Sequence, residues 1–203
     1  MTVSAIRQTA PGRLTVTMEG GAEIKSTLGA VTALRLYPGR ALSEPELEEF
    51  RLCSHRALAR ERALALISRR PMSKKELRDK LVRKGEDEDT AEYCALWLEE
   101  QGFVNDESYA AAVARHYAAK GYGAGRVRAE LSRRGVPRDF WDDALETMPS
   151  GDEKIDKFIS ARLNDPEDRE QIRKISAALY RRGYSWEEIR GALARHDADT
   201  EEC

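Results

Sequence analysis

Cysteine is scarce: Cys53, Cys94 and Cys203 are the only three in the 203-residue chain. They are odd in number, far apart and never spaced as C-x-x-C. That argues against a disulfide framework and a zinc site and points to a reducing compartment. Cys94, within a helical pattern, reads as a small buried hydrophobe. No apolar run approaches a membrane span, and Met1 to Arg13 lacks the apolar stretch of a signal peptide, so a cytoplasmic protein without a membrane partner is expected. Neither sign of charge dominates. The 34 Lys and Arg against 36 Asp and Glu give a formal net charge of −2, which excludes a uniformly basic coat for DNA.

The vocabulary of catalysis is equally thin. His55, His116 and His196 are scattered, and only Cys53 stands near one of them. Asp142-Asp143 and Glu187-Glu188 have cations nearby and read as solvated surface charge. No nucleophile can be paired with a base. Gly121-Tyr122-Gly123-Ala124-Gly125 has no strand before it and no Gly-Lys-Ser/Thr after it, so it reads as a tight turn between helices and not as a phosphate loop. No enzyme, no metal and no cofactor is expected.

What the chain does contain is a repeat. Leu81-x3-Gly85, Leu131-x3-Gly135 and Leu179-x3-Gly183 each place two basic residues before the glycine and an apolar residue (Leu77, Val127, Ile175) four positions before the leucine, and the glycines are 50 and 48 residues apart. An apolar pair at i, i+4 makes a core-facing stripe. Cations in the last turn suit the helix dipole, and glycine ends the helix in a left-handed cap. A period of this size predicts a mainly α, elongated array of three-helix modules, expected as a monomer, that offers a long surface to a macromolecule.

Organisation follows from the punctuation. Residues 13–18 and 22–27 alternate polar and apolar residues about Gly20-Gly21 and predict a β-hairpin, and Val31 to Leu36 is a further candidate strand. Ser43-x2-Glu46, Ser73-x2-Glu76 and Ser185-x2-Glu188 have capping-box spacing, and Asp165-Pro166 is expected to open another helix. The expected parts are an N-terminal hairpin region with a leading helix (1–56), three-helix units at 57–103, 104–149 and 150–196, and a mobile acidic tail (197–203). Trp97, Phe140, Trp141, Phe158, Tyr180, Tyr184 and Trp186 lie beside the repeated leucines, where packing is the default role and anchoring a partner the alternative.

Charge is distributed unevenly along the chain. Arg69 to Lys84 holds eight cations and two acids, whereas Glu86 to Glu100 holds seven acids and no cation. Such a molecule could meet a polyanion with one face and a protein with another. The recurring cations are Arg70, Lys74, Lys75, Arg78 and Lys84 in the first unit, Arg115, Arg126, Arg128, Arg133 and Arg134 in the second, and Arg181 and Arg182 in the third.

Three motifs in order then carry a resemblance: Arg70-Pro71-Met72-Ser73-Lys74-Lys75-Glu76-Leu77-x3-Leu81-x3-Gly85, Gly102-Phe103-Val104-Asn105-Asp106-x2-Tyr109-Ala110, and Gly121-Tyr122-Gly123-x2-Arg126-Val127-x2-Glu130-Leu131-x3-Gly135. With Leu179-x2-Arg182-Gly183-Tyr184 they make residues 57–194 resemble the RecX family, regulators of the RecA recombinase. The resemblance implies tandem three-helix, helix-turn-helix-like units lying in the groove of a RecA filament on single-stranded DNA, modulation (usually inhibition) of RecA's ATPase, strand-exchange and co-protease activities, and the recurring cations as candidate contacts to filament or DNA. The third unit departs from its neighbours in a longer first connection, Arg162 to Asp168, and a more acidic C-terminus. The alternative, a helix-turn-helix reader of duplex DNA, needs recognition helices aimed at base edges. Here Arg138 to Leu145 and Trp186 to Ala194 carry acids at their exposed positions.

Overall fold

The computed structural model describes residues 1–165 and 167–201. Two compact units divide the chain, Met1–Val104 and Asn105–Cys203.

In the first unit three antiparallel strands, β1 (Val3–Ala10), β2 (Arg13–Met18) and β3 (Glu23–Thr27), lie in the order β1-β2-β3. The expected hairpin is β2–β3, with Val16 opposite Ile24. Strand β1 is an addition, and its free edge is tied down by the segment after Pro38: the Val3 amide donates to the Arg40 carbonyl at 2.9 Å and the Leu42 amide to the Met1 carbonyl at 2.8 Å. The candidate strand from Val31 to Leu36 is corrected, because α1 (Leu28–Ala33) occupies its first half and a turn follows. The Thr27 hydroxyl at the end of β3 accepts from the Ala30 amide at 3.3 Å and caps a helix there. Val31 and Leu36 still reach the core, from a helix and its following turn.

Helix α2 (Glu44–Ile67) opens with a full capping box: the Ser43 amide donates to Glu46 Oε2 at 2.8 Å and the Glu46 amide to Ser43 Oγ at 3.4 Å. It is continuous across residues 56 and 57, where the sequence suggests a division. Leu47 and Phe50, in its first half, complete the core over the sheet, with Val3, Val16 and Met18. Ala59, Ala63 and Leu66, in its second half, pack against α3 (Lys74–Arg83) and α4 (Glu88–Glu100). One helix thus serves two cores. Cys94 sits in the second, where burial above all, with Glu86 nearby, pushes its thiol up to about 11.

The second unit holds α5 (Asp106–Ala119), α6 (Ala124–Arg133), a single 3-10 turn (Arg138–Phe140), α7 (Trp141–Glu146), α8 (Asp152–Ser160), α9 (Arg169–Arg181) and α10 (Trp186–Glu201). Two hydrophobic cores form within it, one around Val113, Val127 and Leu131 and one around Ile155, Ile159, Ile175 and Leu179. The cap of α9 is Asp168, whose Oδ1 accepts from the Glu170 and Gln171 amides at 2.8 and 3.0 Å. Asp165, expected in that role, holds the Glu167 amide in a preceding turn. Pro166 and Cys203 lie outside the described residues. Residues 197–201, read as part of an acidic tail, belong to α10.

The repeated element has the same geometry three times. Leu77, Val127 and Ile175 and the leucines four residues on are all buried. Past each basic helix the glycine has positive φ (95° at Gly85, 67° at Gly135, 90° at Gly183). The following amide (Glu86, Val136, Tyr184) returns to the repeat leucine's carbonyl at 3.1, 3.0 and 3.3 Å. This is a Schellman closure, and it satisfies carbonyls that the helix leaves unpaired.

The third glycine does more. Helix α6 begins at Gly123 with no side-chain cap, unlike α3, which Ser73 caps. The missing acceptors come from the end of α9: the Gly123 amide donates to the Arg182 carbonyl at 3.0 Å and the Gly125 amide to the Gly183 carbonyl at 2.9 Å. Unpaired donors at one helix's positive end therefore meet unpaired acceptors at another's negative end. The approach tolerates no side chain. A Cβ on Gly123 would lie 2.5 Å from the Gly183 oxygen, and one on Gly183 would lie 2.2 Å from the Arg126 nitrogen.

A comparison of alanine substitutions follows. Gly85→Ala meets nothing within 4 Å and should lose only the cost of a left-handed alanine, about 1 kcal/mol. Gly123→Ala adopts no unusual φ, yet it should lose more than Gly85→Ala because it breaks the backbone clasp, and Gly183→Ala should lose most. Urea unfolding followed by circular dichroism ranks the three. Equal losses at Gly85 and Gly183 would mean that the clasp contributes no stability.

Candidate nucleic-acid interface

The basic helix α3 and the acidic helix α4 are segregated in sequence but paired in space. Lys74 Nζ lies 2.9 Å from Glu99 and Arg78 Nη1 3.5 Å from Glu92. Arg70 and Lys80 both reach Glu76 on α3 itself. Much of the charge expected to face a polyanion is therefore answered within the unit. Lys75 and Lys84 are exposed and make no ion pair among the described residues. Lys84 shares a cleft of about 300 Å³ with Arg62 and Arg69. Arg69 was not among the candidates, since it lies outside the repeated pattern.

Just beyond α3 the chain buries a charge. Where the second and third modules place Val136 and Tyr184 after the cap glycine, the first places Glu86, whose side chain is 1% exposed. Arg62 and His55, both on α2, bond its two oxygens, the latter through Nε2 at 2.9 Å. A buried carboxylate without such partners would be strongly destabilising. His55 thus acts as a structural hydrogen-bond partner.

In the second unit α6 brings its arginines together around one acid. Glu130 is 5% exposed. Arg133 Nη2 donates to it at 2.6 Å, Arg126 lies 3.3 Å away and Arg134 Nε 3.6 Å away. Arg134 also donates to the Tyr109 hydroxyl at 2.6 Å. Burial raises the Glu130 carboxyl, but hydrogen bonds from Arg133 and Tyr117 outweigh it and hold the group below the usual range. Three of the recurring cations are therefore bound into the structure they decorate. Arg182 turns inward as well, with its guanidinium 4.7 Å from the Phe158 ring centroid and 3.5 Å from the Gly121 carbonyl.

The remaining candidates point outward. Arg115 and Arg181 are exposed without an ion pair among the described residues, and Arg128 has only a 3.9 Å approach to Asp142. Arg126, Arg128 and Arg181 line one cleft of about 450 Å³ between α6 and the α9–α10 turn. Among the aromatics, Tyr184 is buried, Trp97, Phe140, Trp141 and Phe158 are half-buried against their cores, and Tyr180 and Trp186 are exposed. Among the described residues no group of three or more His, Cys, Asp or Glu is arranged to hold a metal ion, and no helix is long and apolar enough to cross a membrane.

Three family models match in succession: RecX, first three-helix domain, over residues 59–94; second three-helix domain over 105–145; and third three-helix domain over 160–193. A protein named Regulatory protein RecX from Xanthomonas axonopodis pv. citri (strain 306) is 38% identical over 136 residues, which span 65% of this chain and 83% of that protein. One of the same name from Stenotrophomonas maltophilia (strain R551-3) is 35% identical over 68% of this chain and 86% of its own. A crystal structure of regulatory protein RecX superposes with a TM-score of 0.75, at 24% identity, over 94% of this chain and 98% of that one. RecX from Lactobacillus salivarius gives 0.62 at 22% identity, over 71% and 97%. These last two likenesses show the fold.

Glu130 gives a pH test. Its folded pKa lies below the ordinary value of 4.5, so its ionised form contributes stability that is complete above that value and disappears as pH falls through the folded one. Glu130→Gln should lower the melting temperature at pH 7, by the equivalent of about 1.5 kcal/mol for lost charged hydrogen bonds. The gap to the parent should shrink as the pH is lowered below 4.5. A gap constant from pH 7 to pH 3 would show that charge at Glu130 is immaterial.

Proposed function

Because the chain belongs to the RecX family, we propose that it binds the RecA filament on single-stranded DNA and restrains RecA's ATPase, strand-exchange and co-protease activities. The observation that carries this reading is the succession of three RecX three-helix domains along residues 59–193. The curated relatives bear the name of a regulatory protein. The outward cations Lys75, Lys84, Arg115, Arg128 and Arg181 occur in all three modules, so the polyanion contact is spread along the array. Linked weak contacts gain effective affinity over any one of them. A duplex-reading alternative finds less support, since α7 presents Asp142, whose side chain is 88% exposed, where a recognition helix needs base-reading donors.

The ion pairs decide which residues can test the proposal. Reversing Arg126, Arg133 and Arg134 would strip a buried carboxylate of its partners and confuse binding with folding. Among the described residues Lys75, Lys84 and Arg115 hold no ion pair, so their triple alanine variant should melt with the parent. Titrated into RecA filaments on single-stranded DNA, the parent should inhibit ATP hydrolysis. The triple variant should need about ten times more protein, and its binding to oligonucleotide should lose roughly 0.7 in log–log salt slope per lost phosphate contact. No effect of the parent on ATP hydrolysis at stoichiometric amounts would overturn the RecA assignment. An unchanged variant would return these cations to the solvated surface.

A further inference from the structure

Tyr180 on α9 and Trp186, the first residue of α10, stack on one another with centroids 5.1 Å apart and planes 20° from parallel. They are 55% and 54% exposed, the only large hydrophobic side chains so exposed among the described residues after Val104. Folding of a module does not require them. Counted from the cap glycine, the same two positions carry Val82 and Glu88 in the first module and Ser132 and Arg138 in the second, and both of those modules have complete cores without an aromatic pair there. An exposed tryptophan with no packing duty is a candidate for contact with something else.

The surroundings say what that partner is. Tyr180 forms one wall of the 450 Å³ cleft, across from the small residues Ala124, Gly125 and Ala129 at the start of α6. Three guanidiniums, Arg126, Arg128 and Arg181, line the cleft against a single carboxylate, Glu188. That carboxylate is already engaged by the Ser185 amide at 2.6 Å. Arg126 is held by Glu130, but Arg128 and Arg181 stay outward, and flat π faces flanked by outward cations are what a single-stranded polynucleotide recognises, through stacked bases and neighbouring phosphates. An apolar peptide segment would gain nothing from Arg128 and Arg181, and a duplex, whose bases are already stacked, could not use the rings.

We infer that the Tyr180–Trp186 pair is a stacking ledge for a base of single-stranded nucleic acid, with Arg128 and Arg181 receiving the adjacent phosphates. The inference deepens the proposed function and rests on it only in taking single-stranded DNA as the polyanion. The open outer face of the pair accepts a base of any identity, so recognition is independent of sequence. In the third module stacking supplements charge, at two positions that carry no aromatic in the first two modules.

The test uses the full chain and fluorescein-labelled (dT)15, with anisotropy and tryptophan emission as readouts. Saturating oligonucleotide should quench part of the parent's emission, and Trp186→Phe should remove that component while weakening binding no more than about threefold. Trp186→Ala and Tyr180→Ala should each weaken binding about 5- to 100-fold, the range for loss of one base stack, and leave the salt slope unchanged. Arg181→Ala should reduce the slope. If the alanine variants misfold, the phenylalanine variant still reports, through the loss of that quenched component. Parent-like affinity in both alanine variants would overturn the ledge, as would emission that no oligonucleotide quenches. Parent-like affinity for (dT)15 combined with lost binding to DNA-free RecA would make the pair a protein contact and overturn it equally. If the parent has no effect on RecA and Trp186→Ala still loses (dT)15, the proposed function fails and the ledge stands.

Discussion

The hydrogen bond from the Gly125 amide to the Gly183 carbonyl, with its companion from Gly123 to Arg182, governs how the last two modules are built. A helix N-terminus leaves amides without acceptors and a C-terminus leaves carbonyls without donors. At α1 to α5 and at α9 a threonine, serine, aspartate or asparagine side chain meets the first need, and at α3 and α6 a Schellman turn meets the second. At α6 and α9 the two deficits cancel each other. The geometry requires backbone within bonding distance of backbone, so Gly123 stands where α3 has Ser73, and Gly183 carries both the left-handed turn and the contact.

That clasp determines what lies around it. It brings the start of α6 to the turn between α9 and α10, which places Arg126, Arg128 and Arg181 around one cleft and the Tyr180–Trp186 pair at its edge. It also separates cations by role. Arg126, Arg133 and Arg134 neutralise Glu130, and Arg182 lies over Phe158, whereas Arg128 and Arg181 stay exposed. The first module solves a comparable problem differently, by burying Glu86 against Arg62 and His55.

Much of the fold was legible in the sequence because its signals are local. The Leu-x3-Gly repeat, the capping boxes at Ser43 and Ser185 and the Gly20-Gly21 hairpin each depend on residues a few positions apart. What was not legible depends on residues far apart. Val31 and Leu36 alternate like a strand, yet Thr27 caps a helix before them. Gly121 to Gly123 do form the turn the sequence suggests, while Ala124 and Gly125 already belong to α6, and nothing local says that Gly123 and Gly125 accommodate Gly183 some sixty residues later. Among the candidate cations, charge pattern could not separate Lys75, which has no ion pair among the described residues, from Lys74, which Glu99 holds. Tyr180 and Trp186 did leave a signal: they are aromatic where the corresponding positions of the other two modules are not.

The clasp is tested most directly by amide hydrogen exchange at Gly123 and Gly125, read residue by residue by NMR. If their bonds to Arg182 and Gly183 join the two modules, both amides should exchange as slowly as the core amides of α6 and α9, in spite of their place at a helix start. Exchange at the rate of an exposed loop, with those cores still protected, would show that the modules part freely and would contradict the account.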